Sequence, residues 1–441
     1  RISQAPTGLR TGGSFFGYAG DQIGQNVVRF EKGPKNRVFL RTISFGEYAK
    51  DSTSPMFTTV SKSNIQPIVQ SFDVKAFGKD STTSVIDITD FISGDNDVLH
   101  FSSSMKTSLR LTAIQADKSY VVSVKSYPIN VEIKAIKTYG RGPAMPTPGG
   151  GGGGGMMGGA GASGGNMTME LNSSMVILPK TPMQSRYFDP RVGFFAVGYT
   201  DFDANPQGVK NISMVKRWRL EPKPQDVEKY NKGELVEPIK PIVYYIDPST
   251  PEKWIPYLIQ GVNDWQVAFE KAGFKNAIIA KRAPTKQEDS TWSLDDARNS
   301  AIVYKPSDIP NASGPSISDP RSGEIMESHI NWYHNVMQLL RNWYMIQCAP
   351  NDPRARQMQF PDSLMGELIR FVSSHEVGHT LGLRHNYGSS STVPVENLRN
   401  KAWVEANGHT PSIMDYARFN YVAQPEDKIN TNGLFPRIGD Y

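Results

Sequence analysis

Apolar and polar residues alternate through the first third of the chain. "NVVRFEKGPKNRVFLRTISF" alternates on either side of a Gly-Pro-Lys-Asn turn, which is a hairpin signature. "TSVIDITDFI", "SLRLTAIQA", "SYVVSVKSY" and "NVEIKAIKTY" are further short, β-branched runs that predict strands. From about residue 221 the pattern changes. "PIVYYID" reads as a short buried strand, and "TPEKWIPYLIQGVNDWQVAFEKAGF" after it predicts one helix. A Thr cap and Pro251 open that helix, Trp254, Leu258, Val262, Trp265 and Phe269 recur at helical spacing, and Gly273 stops it. "NAIIAKR" and "NSAIVYK" follow as strands, and "ISDPRSGEIMESHINWY" as a turn and edge strand leading into the helix "HNVMQLLRNWYMIQ". "DSLMGELIRFVSSHEVGHTLGL" then places Leu364, Leu368, Phe371 and Val372 on one apolar face. The expected class is α+β: a β-rich N-terminal domain over 1–220, then a mixed-sheet domain over 221–441.

Between two strand-like runs stands "GPAMPTPGGGGGGGMMGGAGASGG", Gly142 to Gly165. So many glycines bury too little to offset their backbone entropy, so a flexible loop at the tip of one domain is expected. A phosphate-binding reading fails for want of Gly-Lys-Ser/Thr.

At 441 residues the chain exceeds one ordinary core, and 38% hydrophobic residues suffice to fill more than one. The net charge of +5 comes from 48 basic and 43 acidic residues scattered along the chain, so no nucleic-acid partner is expected. No apolar run is long enough to span a membrane. Cys348, the single cysteine, excludes an internal disulfide and a multi-cysteine zinc site. The chain opens without Met and closes at "FPRIGDY", and it reads as a portion of something longer, truncated at its C-terminus.

"SSHEVGHTLGLRHNYG" holds three of the seven histidines in eleven residues. His375 and His379 are one helical turn apart and project from one face, a spacing that lets both reach a single Zn²⁺. Glu376 stands beside them, placed to take a proton from a metal-activated water. Gly382 is where the helix can end in a left-handed turn, and that reversal would return His385 as third ligand. With this composition His-Glu-x-x-His-x-x-Gly-x-x-His arises by chance in roughly one in 10⁵ chains. A helix with surface histidines, or a zinc that only braces the fold, is therefore the weaker reading; structural sites close with four protein ligands.

The eleven-residue motif is that of the metzincins, a clan of zinc endopeptidases. "PSIMDYARF" resembles the clan's Met-turn, which implies that Met414 lies beneath the zinc-binding imidazoles. Tyr416 matches the position of a tyrosine that in some metzincins reaches the metal or the oxyanion. "SRYFDPRVGFF", "PIVYYIDPSTPEKW", "AFEKAGFKNAI", "GPSISDPRSGEI", "WYHNVM" and "SIMDYARFNYVAQPED" are similar to segments of large, exported bacterial zinc-dependent metalloproteases. These segments span roughly 175 to 430, "FEKGPKNRVFLRT" fits that family's N-terminal region, and the glycine-rich insertion has no counterpart there. The resemblance implies a secreted or cell-envelope peptidase acting on proteins or peptides, whose longer relatives continue past this chain's end. It also implies an edge strand above the cleft that pairs with extended substrate, with "GPSISDPRSGEI" the candidate for it or its flank.

His100, His329, His334 and His409 read as surface or packed histidines, with His409 nearest the expected cleft. Cys348 reads as buried and inert. Asp201, Asp203 and Asn205 are spaced as in a calcium loop, but Pro206 replaces the needed Gly. Arg384, Asn386 and Tyr387 receive no role. Two other functions fit parts of the pattern. One is a surface binding protein with a vestigial peptidase domain; the other is a latent protease whose first 220 residues cover the cleft. Intact Glu376 opposes the first, since a dead enzyme has no reason to keep it.

Overall fold

The computed structural model describes residues 1–6, 9, 16–79, 82–142 and 165–439. Most of the glycine-rich stretch expected to form a loop, 143–164, lies outside the described residues. The chain divides into two compact units, Arg1–Ile177 with Tyr199–Asn211, and Leu178–Gly198 with Ile212–Tyr441.

The first unit is β-rich, with strands β1 (Ile2–Gln4), β2 (Val28–Gly33), β3 (Arg37–Thr42), β4 (Glu47–Tyr48), β5 (Ile68–Phe77), β6 (Ser84–Ile86), β7 (Leu111–Ile114), β8 (Tyr120–Ser126), β9 (Asn130–Arg141) and β10 (Asn166–Val176). Three short helices, α1 (Pro55–Ser63), α2 (Thr89–Ser93) and α3 (Ser103–Ser108), lie among them. One sheet runs β2-β3-β5-β6 and a second runs β1-β10-β9-β7, with β8 also on β9; β4 belongs to neither. The expected hairpin forms from Val28↔Thr42 to Gly33↔Arg37, and Lys35 and Asn36 turn it with φ of 55° and 52°. β9 and β10 pair antiparallel from Asn130↔Val176 to Gly140↔Asn166. "TSVIDITDFI" is strand only over β6; its second half is α2. Lys137, wholly buried on β9, explains the change: its Nζ donates to the carbonyls of Ile92, Ser93 and Gly94 at 2.7, 2.6 and 2.8 Å. A cation at a helix C-terminus satisfies carbonyls the helix leaves open.

Strands β11 (Ala196–Asp201) and β12 (Lys210–Val215) precede α4 (Val227–Asn231). The second unit then holds β13 (Ile242–Ile246), α5 (Ile255–Asn263), α6 (Gln266–Lys271), β14 (Ile278–Arg282), β15 (Ser300–Lys305), β16 (Ala312–Ser313), β17 (Ile317–Ser318), β18 (Ile325–Glu327), β19 (His329–Tyr333), α7 (Val336–Cys348) and α8 (Asp362–Thr380). Its main sheet runs β14-β13-β15-β19-β16, parallel except for β16. The helix expected after β13 is broken. A short 3-10 turn over Glu252–Trp254 starts it, and α5 and α6 are separated at Asp264 and Trp265. Trp265 is buried there, with Nε1–H donating to the Ser374 carbonyl at 2.8 Å. "GPSISDPRSGEI" does not provide the sheet's edge strand: it folds into the small β17–β18 hairpin and flanks β16, which is the antiparallel edge. Asp319 closes that hairpin, accepting from the Arg321 backbone N–H and from its guanidinium.

Helix α8 runs through the middle of this unit. Leu364 and Leu368 are fully buried, each stabilising the fold by about 1.5–3 kcal/mol, and Phe371 and Val372 nearly so. Its far side is buried too, and polar. Ser373 Oγ donates to the Leu258 carbonyl at 3.0 Å and Ser374 Oγ to that of Gly261 at 2.9 Å, fastening α8 to α5. Tyr244 of β13 donates its hydroxyl to Thr380 Oγ1 at 2.6 Å, tying the sheet to the helix's last turn. Among the described residues no helix is long and apolar enough to cross a membrane.

His100 in the first unit is 4% exposed, and burial holds its pKa down to about 3. An unfolded histidine titrates near 6.5, so between pH 6.5 and 3 the unfolded chain binds the extra proton. Stability tied to this residue is therefore intact above pH 6.5 and lost as the pH falls, by about 2 kcal/mol at pH 5. His100→Gln flattens the fall of melting temperature between pH 7 and 5, measured by circular dichroism; an unchanged slope would refute the assignment.

Candidate metal centre

Four residues apart on α8, His375 and His379 share one face. The helix stops at Thr380 in a left-handed cap. Gly382 has φ of 105°; its N–H donates to the His379 carbonyl at 3.1 Å and that of Leu383 to Gly378 at 3.0 Å. A Cβ on Gly382 would sit 2.1 Å from the Lys216 carbonyl oxygen, so glycine is required for space as well as for backbone angle. Past this turn the chain doubles back against "VGFF": Phe195 N–H donates to the Gly382 carbonyl at 2.7 Å, and Arg384 N–H to that of Gly193 at 2.8 Å.

The reversal delivers His385 to the other two. Its Nε2 lies 3.1 Å from His375 Nε2 and 3.0 Å from His379 Nε2. The opposite nitrogens are engaged elsewhere. His375 Nδ1 donates to the Ile413 carbonyl at 2.8 Å and His379 Nδ1 to that of Leu383 at 2.9 Å, while His385 Nδ1 meets the Tyr387 hydroxyl at 2.9 Å. A carbonyl only accepts, so the ring protons of His375 and His379 sit on Nδ1 and their Nε2 lone pairs face His385. Burial, then the neighbouring His379 ring, holds His375 down to about 3; burial and His379 hold His385 down to about 4, and burial lowers His379 as well. Three neutral imidazoles whose Nε2 atoms converge are a donor set for one cation. Their spacing is within a few tenths of an ångström of the edge of a tetrahedron with ~2.0–2.1 Å arms.

Glu376 is buried beside them. Oε2 has no hydrogen-bond partner among the described residues, and burial pushes the carboxyl up to about 8. Such an orphaned acceptor next to a nitrogen triad fits a metal with a reacting solvent molecule at its open position. Met414 packs against α8 at Gly378. A Cβ on Gly378 would meet its sulfur at 2.2 Å, so that contact dictates the glycine within "HEVGH". The turn is braced by Ser412 Oγ, which accepts from Met414 N–H at 3.1 Å and from Asn386 Nδ2 at 2.8 Å. Tyr416 is 41% exposed, its ring centroid 4.3 Å from that of His385 and 5.6 Å from that of His375.

Asn386 and Tyr387, given no role from sequence, thus hold the Met-turn and the third imidazole. Phe195, whose ring lies 6.0 Å from that of His379, was equally illegible, because only the cap at Gly382 brings it near. Among the described residues the three motif histidines are the sole cluster able to hold a metal, so His100, His329, His334 and His409 stay outside it. Cys348 is buried and pushed up to about 12 by burial, an inert thiol. The calcium-like loop spends its oxygens on backbone. Asp203 accepts from Lys50 and Asp51 N–H, Asp201 from Asp203 and Ala204, and Asn205 from Gln207.

Comparison with known families divides along the same chain. Residues 20–223 match the model of a domain of unknown function, DUF5117. No curated protein and no solved structure matches the chain. Residues 357–441, which contain α8, the returning His385 and the turn at Met414, match a family described as Met-zincin, and the C-terminal region is a metzincin-type domain.

Proposed function

We propose that this chain is a zinc-dependent endopeptidase whose chemistry resides in the second unit, with His375, His379 and His385 as metal ligands and Glu376 as general base. The observation that carries the reading is the convergence of three Nε2 atoms, each backed at Nδ1, beside a buried carboxylate oxygen without a partner. A zinc ion held there supplies a Lewis acid that polarises the scissile carbonyl and acidifies water. Glu376 takes the proton from the attacking water and passes it to the leaving amine nitrogen. Its burial serves this, because a carboxyl shifted up toward neutral pH both holds and releases a proton there. The Ile413 and Leu383 carbonyls fix the orientation of two imidazoles, and Tyr387 braces the third. Tyr416, its ring beside that of His385 and its hydroxyl accepting from Arg418, donates its own proton in a hydrogen bond to the developing oxyanion. Edge strand β16 pairs with an extended protein or peptide substrate. The likeness to exported metalloproteases supports a secreted or envelope location.

Glu376→Ala in zinc-loaded protein is expected to cut casein hydrolysis at least about 100-fold while one zinc per chain is retained. Unchanged turnover removes Glu376 from the chemistry; a parent protein inert toward casein and peptide libraries alike sinks the peptidase reading. Gly382→Ala forces a Cβ into the Lys216 carbonyl and strains the left-handed cap, costing about 2 kcal/mol or more. The expected readouts are a lower melting temperature and a zinc content well below one per chain. Full zinc occupancy in this variant would show that the cap does not position His385.

A further inference from the structure

A small pocket of about 40 Å³ opens beside His375. His375 and Glu376 line it on the helix side, Val336, Leu339 and Phe371 give it apolar wall, and Arg418 adds a positive charge. Arg418 is held in an unusual way. Its guanidinium carbon lies 3.8 Å from the Trp343 ring centroid and 3.9 Å from that of Tyr416, two aromatic faces that hold the planar cation. Its backbone is left-handed, φ 60°, a conformation seldom adopted outside glycine and one that clusters at functional sites. Buried His409 fixes that backbone, Nε2–H donating to the Arg418 carbonyl at 3.0 Å.

What Arg418 lacks is an anion. Among the described residues no carboxylate lies within ion-pair distance of it, although Glu376 lines the same pocket. Four other arginines of the unit show such pairing: Arg298, Arg321 and Arg354 each grip the aspartate two residues before them, and Arg370 grips Asp264. The Tyr416 hydroxyl takes one of its hydrogen bonds; a guanidinium carries five N–H donors, and those that remain on this half-buried one suit a carboxylate.

We propose that Arg418 makes this pocket select an acidic side chain, glutamate above all, on the substrate residue that contributes the leaving amine. The inference rests on the peptidase reading above. Glu376 passes its proton to that amine and itself lines the pocket, so the side chain next to the amine nitrogen is the one that enters. The apolar wall receives the methylenes of glutamate and Arg418 receives its carboxylate.

The test uses peptides amidated at the C-terminus and differing at one position after the cleaved bond: Glu, Gln or Lys. Cleavage is read by mass spectrometry on the zinc-loaded chain, and binding by fluorescence anisotropy on the same chain carrying Glu376→Gln. The expected result is kcat/KM about 10- to 100-fold higher for Glu than for Gln, with Lys poorest, and the same order in affinity. Arg418→Gln brings the Glu/Gln ratio to near one, and Arg418→Lys leaves part of it. If Arg418 only braces Tyr416, its loss lowers all three peptides equally and the ratio stands, which overturns the proposal. Cleavage without preference for Glu overturns it while leaving the peptidase reading intact. Arg418-dependent binding of the Glu peptide with no cleavage of any peptide supports the pocket and overturns the peptidase; neither cleavage nor preferential binding overturns both.

Discussion

The turn at Gly382 is the constraint on which the site depends. A helix alone can present two imidazoles to one point; the third must come from outside it, and here it comes only six residues after the second. That requires the chain to reverse within one residue's backbone, at a φ of 105° and in contact with the Lys216 carbonyl. Because the reversal is so tight, its walls are set by backbone rather than by side chains. The Gly382 carbonyl pairs with Phe195, Arg384 with Gly193, and the Phe195 carbonyl accepts in turn from Lys216. Segments nearly two hundred residues away in sequence are thereby fixed around His385.

A second close approach sets the depth of the site. Met414 reaches the helix only because residue 378 has no side chain, and Trp265 meets the same spot. Trp265 also donates to the Ser374 carbonyl, one residue before His375, so a single indole both breaks the α5–α6 helix and secures the start of the motif. Packing, capping and the placing of the three imidazoles are thus consequences of a few shared contacts.

These relations explain what was legible in the sequence. Period-two and period-3.6 patterns identified β2, β3, β13, β15, α7 and α8, because each buries a face that its own residues define. The clustering of His375, His379 and His385 was legible because all three, with Gly382 between them, lie within eleven residues, where local helical geometry suffices. Elements decided by distant partners were not. α2 sits where a strand was expected because Lys137 caps it, and the edge strand is β16 because Asp319 and Arg321 fold the next segment into its own hairpin. Phe195, Tyr387 and Arg418 carry no pattern; each acquires its place only after the turn at Gly382 or the turn at Met414 has formed.

Glu376 and Arg418 show how the site departs from what stability alone would favour. Leaving a buried carboxylate oxygen unmatched costs about 1–3 kcal/mol, and a left-handed arginine backbone of order 1–3 kcal/mol more. Opposite charges lining one pocket offer an obvious remedy, a direct ion pair, and the fold does not take it. Instead the rings of Trp343 and Tyr416 hold the guanidinium, Tyr416 through a side-chain hydrogen bond as well, while Glu376 Oε2 keeps no partner among the described residues. The dense core around α8 offsets these costs, with Leu364, Leu368, Val377 and Tyr344 all fully buried. Stability invested in the buried helix thus accommodates two polar groups, Glu376 on α8 and Arg418 beyond the turn at Met414, without pairing one to the other.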